Sequence, residues 1–132
     1  MEPIETIKRT LENQPQVDFA VLVGSRVTGN THAHSDWDIA IRWHPTLSWL
    51  NRVAETETLR RAIAASIHES ENRIDLIDLA DSNLAMRALV AEEGRPLKGE
   101  NTNAWAQYLR RTWRELEEVA FDNMAGNRHH AA

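Results

Sequence analysis

Apolar positions recur along this 132-residue chain in two periods, one helical and one extended. Behind Pro3, which suits a first helical position, Ile4, Ile7 and Leu11 fall at i, i+3 and i+7, and an amphipathic helix is predicted over residues 3–13. Asn13-Gln14-Pro15 ends it. Phe19 to Val23 is continuously apolar, the pattern of a strand covered on both faces, so a first strand is predicted over 18–23. Gly24-Ser25 turns the chain, and one or two helical turns over 25–29 end at Gly29-Asn30. Over 36–43 the pattern becomes strict alternation. Trp37, Ile39, Ile41 and Trp43 share one face of a second strand, and Asp36, Asp38, Ala40 and Arg42 the other.

The second half alternates between the same two periods. A long helix is predicted over 47–69, its apolar stripe marked by Leu47, Leu50 and Ala54 and then by Leu59, Ile63 and Ile67. Ile74 to Leu79 is a third strand. Asp81-Ser82 caps a helix that runs to about Glu93 and stops at Gly94. Residues 95–99 form a short extended piece. A final helix spans about 103–123 with Trp105, Leu109, Trp113, Leu116 and Ala120 on one stripe, and the tail 124–132 is expected to be disordered. The order αβαβαβαα, without repeat or linker, predicts one α/β (α+β) domain over 1–132: a mixed sheet flanked by helices.

Composition narrows the function. A net charge of −5 leaves no basic footprint, which argues against direct nucleic-acid binding. The absence of cysteine excludes a disulfide scaffold and a thiol nucleophile and suits a reducing compartment. No apolar run approaches the length of a membrane span, and the first residues are charged throughout, so a soluble cytoplasmic protein is expected.

The chemistry-bearing residues lie in one stretch. Gly24 allows a ligand close to the backbone, and Ser25 offers a hydroxyl and the first free amides of the following helix, a natural anion site. Asp36 and Asp38, two residues apart on a strand, stand about 6.5–7 Å from each other and repel unless a cation lies between them. Hard carboxylate oxygens suit magnesium, which completes its octahedron with water and phosphate oxygens. A phosphate cradle beside a magnesium site is equipment for nucleotide chemistry. His32 and His34 alternate with these aspartates, and a strand beginning at 32 would align all four on one face, a set better suited to zinc, manganese or iron. Gly29-Asn30-Thr31 favours a loop there instead. Arg26 reads as solvated. Trp105, Tyr108 and Trp113 read as core or partner interface rather than as a base-stacking platform.

Gly24-Ser25, ten intervening residues and Asp36-Trp37-Asp38, with a strand on each side, resemble the signature of the DNA polymerase β-type nucleotidyltransferases. The short chain is similar to their minimal branch, the MNT antitoxins of HEPN/MNT toxin–antitoxin pairs. The resemblance implies a third acidic residue on the strand after the long helix, a place that Asp75 matches. There it would bind metal and accept the proton of the attacking hydroxyl. Asp75 shares a face with Arg73 and Ile77, and a cross-strand ion pair with Arg42 is the alternative; Asp78 and Asp81 read as turn or cap residues. Relatives often carry a basic residue where this chain has Thr28. The resemblance further implies two Mg²⁺ ions held by Asp36, Asp38 and Asp75. It also implies ATP with its β- and γ-phosphates on Gly24 and Ser25, and transfer of AMP to a tyrosine of a HEPN ribonuclease toxin. A binding antitoxin that only masks the toxin, and nucleotidyl transfer to a small molecule, are the alternatives; assembly as a homo-oligomer or with the toxin stays open.

Overall fold

The computed structural model describes residues 2–29 and 35–131. Its elements are α1 (Pro3–Glu12), β1 (Val17–Val23), α2 (Ser25–Thr28), β2 (Trp37–Trp43), α3 (Trp49–Ser66), β3 (Ile74–Asp78), α4 (Leu84–Glu93), β4 (Arg95–Lys98) and α5 (Asn103–Ala131). The four strands form one mixed sheet in the order β3-β2-β1-β4. β1 runs antiparallel to both β2 and β4, and β2 runs parallel to β3. A parallel pair needs a long crossover, and α3 supplies it.

The alternation of β2 divides the core as its sequence requires. Trp37, Ile39, Ile41 and Trp43 join Ile7 and Leu11 of α1 and Leu59 and Ile63 of α3 in one buried cluster. On the opposite face Ala40 joins Phe19, Val21 and Val23 of β1, with Val90 of α4 and Trp105 and Tyr108 of α5. Because β1 is continuously apolar, it serves both layers. The expected mixed sheet flanked by helices is the fold observed.

Several local expectations change. Residues 95–98, predicted only as extended, form a fourth strand: Leu97 is buried and the strand pairs with β1. Pro96 lacks an amide but β4 is an edge strand, where that loss is tolerated. The predicted apolar stripe of α3 is buried only in its second half. Leu50 is 69% exposed and Trp49 62% exposed, so these two side chains of the helix's first turn face solvent. Ser48 caps α3, with its hydroxyl accepting from the Asn51 amide. Asn83, rather than Asp81-Ser82, caps α4 by accepting from the Met86 amide at 2.9 Å. The last helix continues past residue 123 to Ala131. Among the described residues, no helix is long and apolar enough to cross a membrane.

Candidate functional site

β1 ends at Val23, directly across from Asp38 on β2, and Asp38 is in turn paired with Asp75 on β3. Three strand ends therefore bring the Gly24 turn, Asp38 and Asp75 into one row. Gly24 adopts φ 82° and ψ −157°, a region essentially reserved for glycine, and caps α2. A Cβ at this position would collide with Oδ2 of Asp38. The turn is thus shaped around a carboxylate. The amides of Ser25 and Arg26 open α2 and have no carbonyl four residues back within it.

Asp38 is half-buried, and its pKa is raised. Burial is the largest cause, followed by repulsion from Asp75 and from Asp36, with a hydrogen bond to Asp75 adding to it. Asp75 is exposed and makes no ion pair among the described residues, so the expected alternative of a pair with Arg42 is not what the structure contains. Asp36 stands just before β2 and lies 3.9 Å from the Arg73 guanidinium. Asp78 is turned elsewhere. It accepts from Nε of Arg52 at 2.9 Å and from the Ala80 amide at 3.0 Å, which fits the turn and cap role read from the sequence.

Among the described residues, no three acidic or imidazole side chains gather into a preformed metal cluster. The chemistry of the donors still fits magnesium. Two carboxylates side by side, one of them held against its own repulsion, are stabilised by a hard cation, and one or two protein carboxylates are the usual share. His32 and His34 lie outside the described residues, and β2 begins only at Trp37.

Sequence reasoning took Arg26 for a solvated side chain, and the structure corrects this. Its guanidinium carbon lies 3.9 Å from the centre of the Trp37 ring, and Nη2 donates to the Ser35 carbonyl at 2.6 Å. Arg26 thus ties the Gly-Ser turn to the approach of β2. No periodicity links an arginine in a one-turn helix to an aromatic eleven positions later, so no sequence signal pointed to this clasp.

These features define a nucleotidyltransferase, and the chain belongs to the family described as Polymerase beta, Nucleotidyltransferase, whose sequence pattern matches residues 5–103. It is 26% identical over 114 residues to Protein adenylyltransferase MntA of Aphanizomenon flos-aquae (strain 2012/KM1/D3), covering 84% of this chain and 76% of that protein. Its fold is similar to a chain of a toxin–antitoxin crystal structure with AMP-PNP, at TM-score 0.70 and 23% identity, with 98% of each chain covered. It is also similar to a chain from the complex of tri-AMPylated Shewanella oneidensis HEPN toxin with MNT antitoxin. That likeness has TM-score 0.63 and 20% identity over 98% of this chain and 97% of the other. The family expected from the Gly-Ser and Asp-x-Asp interval is the family found.

Proposed function

We propose that this chain is a single minimal nucleotidyltransferase domain acting as an antitoxin: it moves AMP from ATP onto a tyrosine hydroxyl of a cognate HEPN ribonuclease toxin and silences it. The observation that carries the chemistry is the row formed by the Gly24 turn, Asp38 and Asp75. The acceptor rests on the relatives: a protein adenylyltransferase by name, and a structural neighbour in complex with an AMPylated HEPN toxin. An ATP-dependent antitoxin acts in the cytoplasm, which a cysteine-free chain suits.

In this reading Asp36, Asp38 and Asp75 hold Mg²⁺, two ions by family resemblance. When bound, magnesium lowers the charge on the phosphates and orients them for in-line displacement. The chain's own groups do the rest. The Gly24-Ser25 turn presents amides and a hydroxyl to the β- and γ-phosphates, with no Cβ in the way. An Asp75 carboxylate oxygen takes the proton from the acceptor hydroxyl as its oxygen bonds to the α-phosphorus. The bond from that phosphorus to the bridging oxygen breaks, and pyrophosphate departs.

The test is incubation with α-labelled ATP, Mg²⁺ and the product of the neighbouring gene, beside an Asp36→Asn/Asp38→Asn variant. Label on the partner that vanishes in the variant supports the proposal. Unlabelled partner that nonetheless co-purifies, and a toxin still neutralised by the variant, would replace it with a masking antitoxin.

A further inference from the structure

Arg42 stands on the same face of β2 as Asp38 but four residues further along, about 13 Å away. Ala40, between them, is fully buried in the apolar cluster with Phe19, Leu79 and Tyr108. That cluster walls off a cavity of about 390 Å³ at the far end of the sheet, bounded by the starts of β1 and α4 and by α5. Three guanidinium groups line it, those of Arg42, Arg87 and Arg111, against the two carboxylates of Asp18 and Glu115. Glu115 is already neutralised: it pairs with Arg87 and lies 3.6 Å from Arg111. Arg42 is half-buried and makes no ion pair among the described residues. The cavity is therefore a cationic concavity in a chain of net charge −5.

The walls are also rigid. Tyr108 stacks on Trp105 with ring centres 5.4 Å apart, meets Phe19 edge-on, and donates its hydroxyl to the Arg87 carbonyl at 2.7 Å. This bond fixes the backbone that carries one of the three arginines. A preformed pocket with an aromatic wall and a few convergent polar groups is the form small-molecule sites take, and the volume falls within their usual range. Planar guanidinium forks match phosphate oxygens better than any other side chain does.

We propose that this cavity is a second binding site, separate from the carboxylate row, for a phosphate-bearing small molecule of nucleotide size. Its occupant is an anion held by Arg42 with support from Arg87 and Arg111. Nothing in this assignment depends on the transfer reaction.

The test is a titration of the ¹⁵N-labelled protein with AMP and, separately, with inorganic phosphate, followed by amide chemical shifts. Amides around Arg87, Gln107 and Tyr108 respond in the wild type and equally in the Asp36→Asn/Asp38→Asn variant. Arg42→Gln weakens that response at least about tenfold, the scale of one lost charge-assisted contact, while the amide spectrum away from the cavity stays that of the folded wild type. A response to AMP alone assigns the site to a nucleotide; a response to both assigns it to the phosphate group. Shifts confined to Gly24 and Ser25, shifts indifferent to Arg42→Gln, or a cavity response seen only with an acidic protein partner overturn the proposal. Absence of AMP transfer by the wild type, with the cavity response intact, would sink the catalytic reading and leave this one standing.

Discussion

The carboxylate of Asp38 occupies the space that a side chain at Gly24 would need. The turn and the aspartate are thus one unit, made on two strands that pair at Val23 and Asp38. Gly24→Ala forces a methyl group against Oδ2 and imposes a backbone conformation that costs about 1–3 kcal/mol outside glycine. The expected outcome is a lower unfolding midpoint together with at least a tenfold slower AMP transfer, because Asp38 must move. Wild-type transfer by a folded Gly24→Ala protein would show that the close contact has no functional weight.

The raised pKa of Asp38 has a sign that can be checked. A carboxyl that keeps its proton more tightly in the folded state contributes stability below its unfolded value of 3.8 and loses it as pH rises through the folded value. At neutral pH without divalent cations Asp38 therefore opposes folding. Asp38→Asn should be the more stable protein there, by up to about 1 kcal/mol, the scale of like charges facing each other across a sheet. The advantage should vanish at acid pH, and added Mg²⁺ should stabilise the wild type but not the variant. Urea unfolding at both pH values is the measurement.

Asp75 and Asp78, three residues apart on β3, should separate function from stability. Asp78 holds Arg52 and the Ala80 amide, so Asp78→Asn is expected to cost about 1–2 kcal/mol and to leave transfer unchanged. Asp75 is exposed and free of ion pairs among the described residues, so Asp75→Asn should keep full stability. As the proposed base, it should slow transfer by about a hundredfold or more. The reverse pattern would move the catalytic role to Asp78.

These two aspartates also show what the sequence could convey. The alternation of β2 assigned each side chain to its layer, because a one-residue slip would exchange the large apolar face for the one carrying Asp38 and Arg42. Alternation could not say which strand lies beside β2; Asp75 was reached through the family resemblance, and the structure pairs it with Asp38. What escaped was set by distant partners. Leu50 and Leu59 look alike in a helical stripe, but only the second joins the buried cluster, while the first faces solvent. β4 was too short and too polar to stand out from a loop; its pairing with β1 makes it a strand. Asn83 outcompeted Asp81 as a cap because Asp81 already pairs with Arg52 and closes a 3-10 turn.

The Arg26 clasp carries its own prediction. The guanidinium stacks on Trp37 and donates to the Ser35 carbonyl, while its buried Nε has no hydrogen-bond partner among the described residues. Arg26→Ala should cost about 1–2 kcal/mol, combining a cation–π contact with a charge-assisted hydrogen bond. Arg26→Lys should recover little, because an ammonium lacks the flat face that lies over the indole. Thermal unfolding of both variants tests this; full rescue by lysine would mean that charge alone matters.

Tyr108 offers the cleanest pH experiment, since it is the chain's sole tyrosine. Burial, the largest cause, pushes its phenol up from 10.0 to about 12, against the weaker opposing influence of Arg87. A raised folded value means stability that is complete below the unfolded value and lost as pH climbs through the folded one. The wild type should therefore lose about 2 kcal/mol between pH 10 and about 12, over and above any general alkaline loss. Tyr108→Phe removes the bond to the Arg87 carbonyl and should cost about 1 kcal/mol at neutral pH, but it should lack this extra alkaline decline. Tyrosinate absorbance of the folded wild type should rise only near the upper value. A phenol that titrates near pH 10 in the folded protein would show that Tyr108 is not sealed between Phe19, Trp105 and Arg87, and that the wall of the arginine-lined cavity is less rigid than its stacking geometry implies.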